Sequence, residues 1–265
     1  MTLLWLTDLH LNFLNPDELE AFHLTLRDAN PDAVLLGGDI AEAPTVAQHL
    51  RRLTTLLPCP IYFVLGNHDF YRGSIAQVRT HIRAVCGRHP NLHWLPDSGV
   101  VSLTPSTALI GHDGWADARF GDYWINPGLL NDYHLIRELS HLDDATRLGA
   151  IRSLADEAAT SLRANLAKAI TTHRRIFVLT HVPPFREACW HQGRISDDQW
   201  LPHFSCQVAG EALVDLLRAN RAPKVTVLCG HTHSSGRASI LPNLEVLTGA
   251  AEYGSPAIQK IFELA

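Results

Sequence analysis

Apolar runs and amphipathic segments alternate along the first third of the chain, and a polar cluster closes each run. This predicts an α/β protein whose ligands gather at the carboxyl ends of its strands. Residues 2–7, 33–37 and 60–65 are the apolar runs, each short enough to be a buried strand. Between them Leu19, Phe22, His23 and Leu26 recur at helical spacing after Pro16 and Asp17, a favourable helix start. Val46, Leu50, Leu53 and Leu57 do the same behind Pro44 and Thr45. A third amphipathic segment, 74–86, carries Ile75, Val78, Ile82 and Val85.

The pattern then shifts to short strands at 92–95, 99–103 and 107–110. Residues 112–144 are rich in Trp, Tyr, Asp, Gly and Asn without any period and read as an irregular excursion. A long helix over 145–171 follows, with Leu148, Ile151, Leu154, Leu162 and Leu166 on one stripe. A strand at 175–180 leads into a second excursion, 183–206. A helix at 208–219 and strands at 224–229, 237–241, 244–248 and 257–263 close the chain. With no internal repeat, low-complexity tract or linker, residues 1–265 read as one domain with two excursions.

Composition bounds the function. The 27 acidic and 22 basic side chains give a net charge of -5, the wrong sign for a duplex-binding surface, so long nucleic acid is not the expected partner. No apolar run approaches the ~20 residues of a membrane span, and residues 1–6 read as a strand, not a signal peptide. Five cysteines without regular spacing argue against a disulfide framework and for a cytoplasmic setting.

The chain has 16 histidines, and several fall at strand ends. The first strand runs into Asp8-Leu9-His10, the second into Gly38-Asp39 and the third into Gly66-Asn67-His68-Asp69. The strands at 175–180 and 224–229 run into His181 and into Gly230-His231-Thr232-His233. In Asp8-x-His10 and His231-x-His233, alternate side chains point the same way if the backbone stays extended. Glycines before Asp39, Asn67 and His231 allow sharp turns and close approach. Carboxylate, amide and imidazole donors without thiolate suit Mn, Fe or Zn in a hydrolytic site. Singly, Asp8 and Asp39 also suit helix caps, and His181 a hydrogen-bonded core position; jointly, metal binding is the simpler account.

These five blocks resemble, in order and separation, those of the calcineurin-like metallophosphoesterase family, over residues 8–233. The resemblance implies a four-layer α/β/β/α sandwich of two mixed sheets flanked by helices. It implies two divalent metal ions, one held by Asp8, His10 and His233, the other by Asn67, His181 and His231, with Asp39 bridging. It further implies that hydroxide shared by the metals attacks the phosphorus of a small phosphorylated substrate, while His68 assists the leaving group. Where the family often has an Asp followed by Arg to orient this histidine, the chain has Glu42 and Ala43, which leaves Glu42 as the candidate partner of His68. His112, Asp113 and Trp115 resemble a segment bordering the substrate pocket in bacterial relatives. Trp124, with Tyr123, Trp190 and Trp200, is a candidate to stack on a base or sugar, ordinary loop packing being the alternative. A zinc site of His191, His203, Cys189 and Cys206 is the weaker reading of that segment, because the spacing is wide. The competing functions are a metal-binding scaffold with little catalysis and a phosphodiesterase of short oligonucleotides or cyclic nucleotides.

Overall fold

A computed structural model describes residues 1–264. Strand β1 (Thr2–Leu6), helix α1 (Pro16–Asp28), β2 (Ala33–Gly37), α2 (Val46–Leu56), β3 (Ile61–Val64) and α3 (Ile75–Cys86) alternate as the periodicity predicts. Asn15 caps α1 in a reciprocal box with Glu18 ahead of Pro16, which satisfies backbone donors that the first turn leaves free. After β4 (Leu92–Trp94) comes a helical turn unforeseen in the sequence, α4 (Leu95–Ser98), then β5 (Val101–Thr104) and β6 (Thr107–His112). The first excursion holds only short pieces such as α5 (Asp132–Leu135) before the long α6 (Asp144–Ala169) and β7 (Arg175–Thr180). The second contains a small hairpin, β8 (Trp190–His191) with β9 (Arg194–Ile195), and a helical turn, α7 (Leu201–Phe204). Helix α8 (Gln207–Ala219), β10 (Lys224–Cys229), β11 (Gly236–Leu241), β12 (Leu244–Thr248) and β13 (Lys260–Glu263) follow. The last strand is shorter than the expected 257–263; just ahead of it the Gln259 side chain bonds the backbone of Ala250, 2.9 Å from its N and 2.8 Å from its O.

Two mixed sheets form, ordered β13-β1-β2-β3-β4 and β11-β12-β10-β7-β6-β5. In the first, β1 to β4 are parallel and β13 is antiparallel to β1. In the second, β6, β7, β10 and β12 are parallel, with antiparallel edges. Alternate residues sort to opposite faces. Leu3, Trp5, Ala33, Leu35 and Val64 of the first sheet pack with Leu109, Phe177, Leu179 and Leu228 of the second, forming the layer between the sheets. Leu4, Leu6, Val34 and Leu36, with Ile176, Val178, Val225 and Val227, join the core that includes helix residues such as Phe22, Leu50, Ile82, Leu162 and Leu213. Burial on both faces explains why the strands read as unbroken apolar runs. Each fully buried Leu or Phe contributes about 1.5–3 kcal/mol. The consequence for function is that β1, β2, β3, β7 and β10 open their carboxyl ends toward one another. Among the described residues no helix is long and apolar enough to cross a membrane.

Candidate metal centre

The loops after β1 and β2 are tied by backbone bonds, Asp8 N to Gly38 O at 3.0 Å and His10 N to Asp39 O at 2.9 Å. The loop after β10 joins them through His231 N, which donates to Asp8 Oδ1 at 2.9 Å. The loop after β3 joins through His68 N, which donates to Asp39 Oδ1 at 2.9 Å. Asp69, fully buried, accepts from the backbone N of Ile40, Ala41 and Gly66 at 3.0, 2.9 and 2.8 Å, and so locks the second and third loops together.

The convergence is tight. Asp8, His10, Asp39 and His233 each offer a ligand atom, and the four atoms lie within 4.8 Å of one another. His10 Nε2 and His233 Nε2 are 3.1 Å apart, and His233 Nε2 is 3.5 Å from Asp8 Oδ1. Asp39 faces two directions: Oδ2 is 3.8 Å from His10 Nε2, while Oδ1 is 3.4 Å from His181 Nε2. On that second side His181 Nε2 lies 3.0 Å from Asn67 Oδ1, and the His181 and His231 ring centroids are 5.0 Å apart. Two of the rings are held from behind, His181 Nδ1 by Gly37 O at 2.9 Å and His231 Nε2 by His203 O at 2.9 Å. Such backing fixes which nitrogen is left to face the cluster.

One sequence expectation changes here, and one alternative set aside in the sequence is absent. Asp8, His10, Asp39, His231 and His233 are not extended; all have positive φ, between 45° and 71°. Their side chains converge because the backbone turns into the left-handed region, not because strands continue with a two-residue period. Nor do Asp8 and Asp39 cap helices: a short helical turn, Leu11–Phe13, follows Asp8, with His10 at its cap position. The glycines have the anticipated role. A Cβ on Gly230 would lie 1.8 Å from Asp8 Oδ2, and one on Gly38, itself at φ +90°, would lie 2.6 Å from Gly66 N.

Burial sets the electrostatics. Asp39 is held well above the ordinary carboxylate range by burial and then by the neighbouring charge of Asp8. Burial likewise pushes His10, His231 and His233 below the usual imidazole range, and His68 down to about 3 with help from His181 and His233. Neutral imidazoles expose lone pairs, and two buried carboxylates side by side call for a cation. The donor set fits divalent metal.

Glu42 points elsewhere than expected. Its carboxylate pairs with the guanidinium of Arg72, a cation only four residues beyond His68, so it does not serve as that ring's partner. The ring of His68 lies instead on Tyr71, centroids 4.1 Å apart and planes 27° apart. Tyr71 donates to Asp132 Oδ1 at 2.6 Å, and Asn67 Nδ2 donates to the same oxygen at 2.8 Å. Neither Tyr71 nor Asp132 was among the expected site residues. His68 opens a short helical turn, His68–Phe70, in which residues three apart eclipse, so an aromatic at the third position after His68 was a readable signal.

A cleft of about 270 Å³ opens over His68 and Asp39, walled by Leu129, Leu130, Trp200, Phe204 and Tyr253. Tyr253 stands 4.5 Å from His10 by ring centroids. Of the expected substrate contacts, His112, Asp113, Trp115 and Trp124 lie apart from this cleft. His112 and Asp113 are buried, and Asp113 Oδ1 accepts from Leu65 N at 2.8 Å and Trp94 Nε1 at 2.9 Å, which makes it an inter-loop tie. Trp115 packs on Phe70 with 5% exposure and reaches only a small cavity beneath His181 and His231. Trp124 is 58% exposed and lines a separate cleft with Arg119 and Arg152. Trp200 is the one of the four stacking candidates that walls the cleft, while Trp190 lies against Gly236. His191 also faces it, whereas Cys189 and Cys206 are buried, the Cys189 thiol donating to the carbonyls of Phe185 and Phe204, so this group does not assemble as a zinc site.

Comparison with known proteins agrees with this geometry. The model of the calcineurin-like phosphoesterase family matches residues 1–235. A UDP-2,3-diacylglucosamine hydrolase of Stenotrophomonas maltophilia is 32% identical over 125 residues, 42% of this chain and 46% of the relative. One of Shewanella loihica is 43% identical over 83 residues, 26% of this chain and 34% of the relative. The chain thus spans less than half the length of the curated relatives it matches. Among solved structures, a phosphopantetheinyl hydrolase from Mycobacterium tuberculosis superposes with TM-score 0.70 at 14% identity, covering 96% of this chain and 90% of that one. A dimetal phosphatase from Danio rerio gives 0.62 at 14% identity, covering 97% and 89%. The two likenesses establish the shared fold. The chain belongs to the calcineurin-like phosphoesterase family.

Proposed function

We propose that this member of the calcineurin-like phosphoesterase family is a two-metal hydrolase of small phosphoric esters. The observation that carries the reading is the placement of Asp39, whose two oxygens face two separate sets of donors, His10 at 3.8 Å and His181 at 3.4 Å. Asp8, His10 and His233 would hold one divalent ion, and Asn67, His181 and His231 the other, with Asp39 common to both. Manganese, iron or zinc would each suit these donors. When bound, the pair supplies a lowered pKa for water and charge to offset the phosphoryl oxygens.

The chain's own groups do the rest. Asp39, buried and fixed by the backbone N of His68, holds both donor sets in one geometry. His68 borders the cleft with Nε2 4.0 Å from Asp39 Oδ2, beside the reacting centre without a place in either donor set. Its ring N–H, on an imidazole that burial keeps neutral, is placed to hydrogen-bond the leaving oxygen as charge develops there. Leu129, Leu130, Trp200 and Tyr253 would meet the leaving group and exclude water from its apolar part. The curated relatives are named as hydrolases of UDP-2,3-diacylglucosamine, and a phosphorylated substrate that carries an apolar group agrees with these walls.

The test is metal-loaded protein assayed against monoesters, diesters, pyrophosphates and cyclic nucleotides, with elemental analysis of the same sample. Hydrolysis with two metal equivalents is expected. Two equivalents with no hydrolysis of any ester would favour the scaffold reading and refute this one.

A further inference from the structure

We propose that Asp132, delivered by the first excursion, is a positioning residue that fixes the amide of Asn67 and, through Tyr71, the ring of His68; the inference rests on the two-metal reading. A carboxamide has a donor end and an acceptor end, and only its oxygen can ligate a cation. Asn67 turns Oδ1 toward His181 Nε2 at 3.0 Å and Nδ2 toward Asp132 Oδ1 at 2.8 Å and Tyr71 OH at 3.2 Å. A carboxylate only accepts, so a flipped amide would set oxygen against oxygen at Asp132 and NH₂ against the cation. Asp132 therefore dictates which end of Asn67 faces the metal centre.

The same carboxylate oxygen takes the phenol proton of Tyr71 at 2.6 Å, closing a ring of three bonds. That bond holds the tyrosine ring under His68, centroids 4.1 Å apart. With Glu42 engaged by Arg72, the stack on Tyr71 orients the face of His68, together with the edge of His10 at 4.6 Å between centroids. Asp132 and Tyr71 are each only 3% exposed, so water competes little for these bonds. Leu129, Leu130 and Asn131, immediately before Asp132, wall the cleft. One segment thus shapes the substrate cleft and pins a ligand of the second metal set.

The experiment measures Mn²⁺ stoichiometry and affinity by equilibrium dialysis, kcat and KM on bis(p-nitrophenyl) phosphate, and thermal stability of each variant. Asp132→Ala should weaken the second equivalent of Mn²⁺ about 10–100-fold, the scale of lost ligand support, and the first equivalent less. Asp132→Asn keeps an acceptor oxygen and should recover part of that loss. Tyr71→Phe keeps the ring under His68 and should weaken the second equivalent about 2–10-fold. Tyr71→Leu removes the ring as well and should lower kcat below that of Tyr71→Phe at saturating Mn²⁺. Wild-type affinity for both equivalents in folded Tyr71→Phe and Asp132→Asn, with equal kcat in the two Tyr71 variants, would overturn the proposal alone. Fewer than two equivalents on the wild type would overturn the two-metal reading and this proposal with it.

Discussion

Gly66→Ala is the smallest change that should disable the centre. Gly66 does not sit at positive φ, so alanine is conformationally acceptable and the effect is purely steric. Its Cβ would lie 2.1 Å from Asp39 Oδ1, 2.5 Å from Asp39 N and 2.7 Å from His181 Cε1, where ordinary contacts begin at 3.4 Å. The carboxylate must therefore move by roughly 1 Å, and the backbone N of Asp39, tied through the second loop, cannot move with it freely. A shift of that size breaks the 2.9 Å bond from His68 N. A misplacement of about 1 Å costs on the order of 10²-fold in turnover, and overpacking a core costs about 1–3 kcal/mol. The expected variant is folded, melts some 2–12 °C lower, binds both metal equivalents more weakly and turns over about 100-fold more slowly. Differential scanning calorimetry, metal titration and steady-state kinetics on one preparation measure all of this. Wild-type turnover and metal affinity in Gly66→Ala would refute the claim that the second and third loops are packed to contact around Asp39.

Gly149→Ala is the contrasting case: it is exposed within α6 with open space around its would-be Cβ, so it should raise stability by about 0.5–1 kcal/mol in urea denaturation and leave turnover alone. His68→Ala should lower kcat about 10²-fold or more while both metal equivalents stay bound; unaltered kcat would remove it from the reaction. His23 is buried on α1, receives a bond from Arg52 at 3.4 Å through Nδ1, and is pushed below its usual pKa of 6.5 by burial and then by Arg52. The unfolded chain takes up this proton before the folded one, so its stabilising share is full above pH 6.5 and is lost as pH falls from there. His23→Leu should consequently show a shallower fall in urea midpoint than wild type between pH 6.5 and 5, and parallel curves would contradict the assignment.

The candidate donors were legible where they depended on residue identity at strand ends. Apolar runs gave the strands, and Asp8, Asp39, His181 and His231 stood out as polar residues directly after them. Side-chain direction was not legible, because the left-handed turns at Asp8, His10 and His233 arise from loops packing on loops, as with the contact of Gly230 on Asp8. The partner of His68 was misjudged for a similar reason. Glu42 has the right charge and position, but Arg72, whose own backbone turns at φ +61°, is nearer to it and claims the carboxylate. Asp132 was beyond reach: it lies 65 residues from Asn67 in an aperiodic segment, and only the folded excursion brings it beside the amide. The same holds for Tyr253 and for the placement of Trp115 beneath the centre and Trp124 away from it.

The left-handed backbone at five of the candidate ligand positions is a cost of about 1–2 kcal/mol each for residues that have a Cβ. It persists because hydrogen bonds between loops hold the turns: His10 N donates to Asp39 O, and His231 N to the side chain of Asp8. These ties run between loops following different strands and even different sheets, so no loop can relax alone. The helices cover the outer faces and the apolar layer joins the sheets, leaving the strand ends as a rigid rim. A centre assembled on such a rim meets its substrate with the donor geometry already fixed. The adaptable parts are then the cleft walls, from the excursion at Leu129 and Leu130 to the exposed ring of Tyr253. Differences in substrate among related folds should therefore track those walls, while changes at the rim should abolish turnover on every ester alike.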